Sequence, residues 1–199
     1  MIAWAKSRRV LASLVATILL TWVAVSAAQV MITVPNLRSP GTFAHALGLF
    51  VALLSGSITA YQLNGRTPLE SSSVRPTDAL DAGLVLASLL TAAAVAHLLG
   101  INDHTSNVMR NIVASSTMVL LLLPLTGAKV AALAPPSWGV LASLVGISHR
   151  GVDPWALPIS QTTLSGAALA LTALTAGALH IFLTRNQPLL ARWTSRLRP

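Results

Sequence analysis

Six apolar blocks, each roughly twenty residues long and separated by short polar gaps, run the length of this chain. A block of that length is enough for a helix to cross the hydrocarbon core of a bilayer. The blocks cover about 10–34, 42–63, 79–100, 111–127, 130–147 and 162–184. Most of the 13 Lys and Arg residues lie at the two ends or in every second gap, namely Lys6, Arg8, Arg9, Arg66, Arg75, Lys129, Arg185, Arg192, Arg196 and Arg198. The other gaps hold Arg38, Arg110 and Arg150. Basic residues near membrane segments are retained on the cytoplasmic side. The pattern therefore predicts an all-α, polytopic membrane protein: a single integral membrane domain over 1–199 with six transmembrane helices and both termini cytoplasmic. The expected location is a bacterial plasma membrane.

Composition closes off the main alternatives. Apolar residues are 54% and charged residues 9% of the chain, against about 25% charged in soluble domains. The net charge of +8 sits at the block ends, where it meets anionic lipid head groups, so no nucleic-acid partner is expected. There are no cysteines, which excludes disulfides and thiolate metal sites. The first block imitates a secretory signal, yet its apolar run exceeds the usual ~7–15 residues and reads as a membrane helix.

The fifth block carries Pro135-Pro136. Adjacent prolines remove backbone donors and clash with the preceding turn, so the fifth helix is expected to be broken by prolines. The sixth block is rich in Ala, Gly, Ser and Thr, which lets helix backbones approach closely. Gly127-Ala128-Lys129 is a short turn between blocks four and five; fusing them would put the basic tail outside, so six spans are favoured. The stretch before block six, with Pro154, Trp155 and Pro158, reads as an interfacial or re-entrant element on the outer face.

Chemistry is sparser. Neither a P-loop nor a nucleophile elbow occurs, so no enzymatic activity is expected of this chain. His97 and His180 lie near block ends, and Asp81 begins block three as an ordinary helix-end carboxylate. His45, His97, His104 and His149 all fall on the outer side with Asp103 and Asp153. Asp103, His104 and His149 are candidate metal ligands, although their spacing lacks the i, i+4 pattern of a metalloenzyme motif and scattered interfacial histidines are the plainer explanation.

The longest cytoplasmic gap runs from Asn64 to Asp78 and holds Glu70, the only Glu of the chain. Pro68-Leu69-Glu70 can begin a short helical turn with its carboxylate near the positive end, and Pro76 ends it. Such a turn suits docking of a cytoplasmic partner; a solvated connection is the plainer reading. The run Tyr61-Gln62-Leu63-Asn64-Gly65-Arg66-Thr67-Pro68-Leu69-Glu70 with Arg75-Pro76 resembles the first cytoplasmic loop of small actinobacterial six-helix membrane proteins. Arg110-Asn111, Gly127-Ala128, Pro135 and Trp155-Ala156-Leu157-Pro158 fit the same group, which is similar to type-two permease subunits of ATP-binding-cassette exporters.

That resemblance implies a permease subunit forming part of a translocation pathway, with a second permease copy or a paralogue beside it. It implies that Arg66, Glu70 and Arg75 contact a cytoplasmic ATPase subunit, and that ATP and Mg belong to that subunit, leaving this chain without a cofactor. Ile2, Trp4, Lys6 and Arg8 would lie along the inner membrane surface, although the segment before block one is too short for the long interface helix usual in the class. Two other functions fit the same sequence: a non-catalytic scaffold subunit of a larger complex, and a metal-handling membrane protein using the outer histidines.

Overall fold

The fold is described from a computed structural model, for residues 9–38, 42–64, 77–100, 102–148, 151–160 and 166–185. It is mostly helical. Helix α1 spans Val10–Ser26 and tightens into a 3-10 turn at Ala27–Gln29. Strands β1 (Met31–Pro35) and β2 (Thr42–Ala46) follow, then α2 (Leu47–Leu63), α3 (Thr77–Leu98), α4 (Asp103–Thr126) and α5 (Ala128–Val145). Short strands β3 (Ile147–Ser148) and β4 (Gly151–Val152), a 3-10 turn at Leu157–Ile159 and α6 (Gly166–Arg185) complete the order. Among the described residues, four stretches are long and apolar enough to cross a membrane: Val10–Gln29, Ala79–Leu98, Asp103–Thr126 and Ala128–Val145. The α2 helix has 17 residues and is shorter than the ~20 of an ordinary span.

The facing ends of blocks one and two are not helical. Met31 pairs with Ala46 and Pro35 with Thr42 in an antiparallel hairpin. Val30, Ile32, Thr33 and Val34 put β-branched side chains in a row, which lose rotamer freedom in a helix and pack well on a pleated strand. Both blocks are therefore shorter as helices than hydropathy suggests. Block four departs the other way. Asn102 accepts a hydrogen bond from Thr105 N at 2.8 Å and caps a helix that begins well before 111. Arg110 is thus inside α4 rather than in a gap, which removes one exception to the charge pattern.

Helices α2 and α4 form the centre: α2 packs on α1, α4 and α5, while α6 packs on α4 and α3. The core is built from small residues, including Ala24, Ala28, Ala46, Ala52 and Ala92 around Leu49, Val108 and Ile112. Gly48 faces the Ala24 carbonyl and Ala28 backbone, so α1 and α2 touch backbone to backbone there. Leu11, Leu19, Trp22, Leu90, Leu133, Leu171 and Phe182 are exposed on the outside of the bundle, an apolar surface that suits lipid. The Ala-rich sixth helix buries Ala173, Ala176 and His180 on its packed side, in keeping with the close approach its composition allows.

The expectation of a helix broken at Pro135-Pro136 is corrected: α5 is continuous across both prolines. Its neighbour explains this. Pro136 has no N–H for the Ala132 carbonyl four residues back. Ser57 on α2 donates its hydroxyl to that carbonyl at 2.8 Å. Gly56, beside it, leaves the space that the Pro135 ring needs: a methyl group there would lie 2.6 Å from Pro135 Cγ. The same device recurs on α4. Pro124 cannot bond the Leu120 carbonyl, and His180 Nδ1 on α6 meets that oxygen at 2.8 Å. Since a carbonyl only accepts, Nδ1 carries the proton. Both prolines are accommodated by donors from the adjacent helix, as backbone within hydrocarbon requires.

This account makes Ser57 and Pro136 energetically coupled. Ser57→Ala alone is expected to cost about 1 kcal/mol by stranding the Ala132 carbonyl. In a Pro136→Ala background the helix supplies its own donor, and Ser57→Ala becomes nearly neutral. Thermal melting of the four proteins in detergent checks the coupling; equal costs in both backgrounds would remove it.

Gly127, at φ 81, ends α4, and α5 begins at the next residue. This confirms a break between blocks four and five at the Gly127-Ala128-Lys129 turn.

Candidate functional site: a buried polar track closed at one end

Two connecting segments fold together over one end of the bundle. Leu37 N donates to Leu144 O at 2.7 Å, and Asn36 Nδ2 to Ser143 O at 3.3 Å, fixing the hairpin to the end of α5. Arg38 Nη1 meets Asp153 Oδ2 at 2.6 Å, joining the hairpin to the segment after α5, and Ser148 Oγ donates to Asp153 Oδ1 at 3.1 Å. Trp138 Nε1 donates to Trp155 O at 3.0 Å. Residues 151–160 are therefore a folded cap with Ala156, Pro158, Ile159 and Ser160 buried. Trp155 itself is exposed.

The cap is held from below by Arg110, which is 1% exposed. Its Nη2 donates to the carbonyls of Leu157 at 2.7 Å and Ser160 at 2.9 Å. Nη1 donates to Ser160 Oγ at 2.9 Å and Asn107 Oδ1 at 3.3 Å. Nε donates to Asn111 Oδ1 at 3.2 Å. The Asn111 amide in turn donates to Pro158 O at 2.9 Å and Leu49 O at 3.2 Å, joining α4, the cap and α2. A guanidinium suits this place because its planar fork carries five donors in fixed directions. The turn at Leu157–Ile159 turns several carbonyls toward one point, and the fork serves them together.

From Asn111 a line of polar side chains descends between α2 and α4. Ser55 Oγ and Ser115 Oγ are 2.7 Å apart, and Thr59 Oγ1 donates to Ser116 Oγ at 3.2 Å. Further along, Gln62 Nε2 donates to Ser88 Oγ on α3 at 3.1 Å. Gln62, Asp81 and His180 are each 0% exposed. Asp81 lies in the second turn of α3, not at its start, because α3 begins at Thr77. Ser55 with Ser115, Thr59 with Ser116 and Gln62 with Ser88 form a polar track through the bundle. Its elements are Ser55, Thr59 and Gln62 on α2, at i, i+4, i+7 spacing on one helical face, and Asn111, Ser115 and Ser116 on α4, the first two at i, i+4.

The predicted site residues are placed unevenly. Arg66, Glu70 and Arg75 lie outside the described residues, as does His149. Asp103 and His104 are exposed in the first turn of α4, at the capped end. Asp153 is engaged by Arg38 and Ser148. His97 is exposed in the last turn of α3. Among the described residues no group of three or more His, Cys, Asp or Glu is placed to hold a metal ion. His45 lies on β2, 6% exposed, and burial pushes its imidazole below the ordinary histidine value. The polar track itself was not anticipated, although its signal was present in the i, i+4 spacing of Ser55 with Thr59 and of Asn111 with Ser115.

No known protein family, curated protein or solved structure matches this chain.

Proposed function

We propose that this chain is the permease subunit of an ATP-binding-cassette exporter, forming part of a translocation pathway driven by a separate ATPase subunit. The observation that supports this reading is the polar track between α2 and α4, closed at one end by the Arg110-held cap. A track of hydroxyl and amide groups buried between two helices of a membrane bundle is the kind of polar lining that half a pathway needs. The reading makes all six helices spans, with α2 as a short one, and makes the capped end the outer face. Arg9, Lys129 and Arg185 then lie at the cytoplasmic end with both termini, in accord with the distribution of basic charge. The location is the plasma membrane of a bacterium of the actinobacterial type.

In this reading Arg66, Glu70 and Arg75 on the Asn64–Asp78 loop contact the ATPase, where ATP and Mg reside, and a second permease copy or a paralogue completes the path. The test is co-purification with an ATPase from native membranes, comparing the wild type with a Glu70→Ala, Arg75→Ala double variant. Retained folding with lost ATPase association is the expected result. Unchanged association and ATPase activity would count against the reading. A scaffold role is the second reading, favoured by the hydrogen bonds that tie α2 to α4 side chain by side chain. Purification as a stable complex lacking any nucleotide-binding subunit would select it.

A further inference from the structure

We propose that the capped end holds a cuprous-ion site formed by His45, His104 and Met31. A cavity of about 30 Å³ lies between the hairpin, the first turns of α4 and the Leu157–Ile159 turn, lined by these three residues with Asn107, Leu49 and Ile159. That volume exceeds the ~10–15 Å³ needed to seat one water-sized occupant. His45 Nε2 is fully buried and has no hydrogen-bond partner. A buried imidazole nitrogen left unsatisfied costs free energy, so its presence on a cavity wall calls for an occupant that it can ligate. The ring stands edge-on to Phe50 at 6.2 Å, which fixes its plane.

The remaining walls decide the class of occupant. His104 supplies a second imidazole and Met31 a thioether, while the cavity lining holds no carboxylate and no thiolate. Thioether with imidazole is a soft donor set, which suits Cu(I) over harder divalent ions. Charge points the same way. Arg110 donates to Asn107 Oδ1 at 3.3 Å, so a guanidinium lies immediately behind one wall. A monovalent ion meets half the repulsion from that charge that a divalent ion would meet. Met31 and His104 are exposed on the open side, giving a path of entry, and the buried His45 forms the inner wall. This site is independent of the exporter reading and differs from the ligand set of Asp103, His104 and His149.

The test is anaerobic titration of the purified full chain in detergent with Cu(I), in competition with a chromophoric Cu(I) chelator. The wild type is expected to hold one copper per chain. His45→Ala and Met31→Leu are each expected to weaken binding by about tenfold or more, the scale on which even outer partners of metal sites act. His97→Ala, which is not part of the cavity lining, should bind as the wild type does. Because His45 is buried, thermal melting accompanies each variant; should His45→Ala fail to fold, the isosteric change at exposed Met31 decides the matter alone. Loss of all copper to the chelator by the wild type would overturn the proposal. So would undiminished binding in Met31→Leu, or displacement of Cu(I) by equimolar Zn²⁺.

Discussion

Arg110→Leu is expected to loosen the cap and to lower stability by at least about 3 kcal/mol. Leucine replaces the apolar part of the arginine stem, so much of the packing around the stem survives. What it removes is a set of donors serving the Leu157 and Ser160 carbonyls, Ser160 Oγ, Asn107 Oδ1 and Asn111 Oδ1. The Leu157 carbonyl keeps Ser160 N and Oγ as donors, but each other buried acceptor left without a donor costs about 1–3 kcal/mol. Arg110→Lys should recover only part of the loss, since an ammonium is a compact point charge that cannot serve both backbone carbonyls with fork geometry. Hydrogen exchange should locate the effect: amides of Asp153, Ala156, Ile159 and Ser160, whose hydrogen bonds stay within the cap region, should lose protection before those of mid-helix α4. A melting temperature in detergent equal to that of the wild type would contradict this role.

Gly48→Ala should be nearly as damaging, by a different mechanism. A methyl group at this position runs into the carbonyl oxygen of Ala24 and the Ala28 backbone, neither of which can rotate aside. Overpacking of this kind typically costs about 1–3 kcal/mol, and the upper end is expected where backbone meets backbone. The change should separate α1 from α2 at the capped end, near Ala28, Ala46 and Leu49. Gly83→Ala on α3 supplies the contrast. Nothing lies within 4 Å of the added methyl group, so the usual helix preference for Ala, about 1 kcal/mol, should make it neutral or stabilising. Thermal melting of the two variants side by side checks this, and equal effects would show that the α1–α2 approach is not tight.

The helices were legible because hydropathy over about twenty residues is a strong signal. Their boundaries were not, and two physical reasons account for that. Hydropathy treats Val30–Val34 as membrane helix, whereas β-branched residues pairing with 42–46 make strand. It also treats Arg110 as the edge of a gap, because a charge ends an apolar run. The carbonyl oxygens of Leu157 and Ser160 draw that charge inside, and no local pattern reveals those partners. The prolines show the same limit. Pro124 and Pro136 declare from sequence that the carbonyls of Leu120 and Ala132 lose their helical donors. Only the packing reveals that His180 and Ser57 replace them. The three residues proposed to meet the ATPase were read from loop chemistry and resemblance, and lie outside the described residues.

The absence of cysteine offers the most direct test of the central claim, that the capped end is the outer face of a six-span protein. Single cysteines introduced at Thr42 in β2, Ser71 in the loop after α2 and Ser195 in the terminal tail can each be probed in intact cells with a membrane-impermeant maleimide. The account predicts labelling at Thr42→Cys from outside, with Ser71→Cys and Ser195→Cys labelled only after the membrane is opened. Labelling of Thr42→Cys and Ser71→Cys from the same side would contradict it.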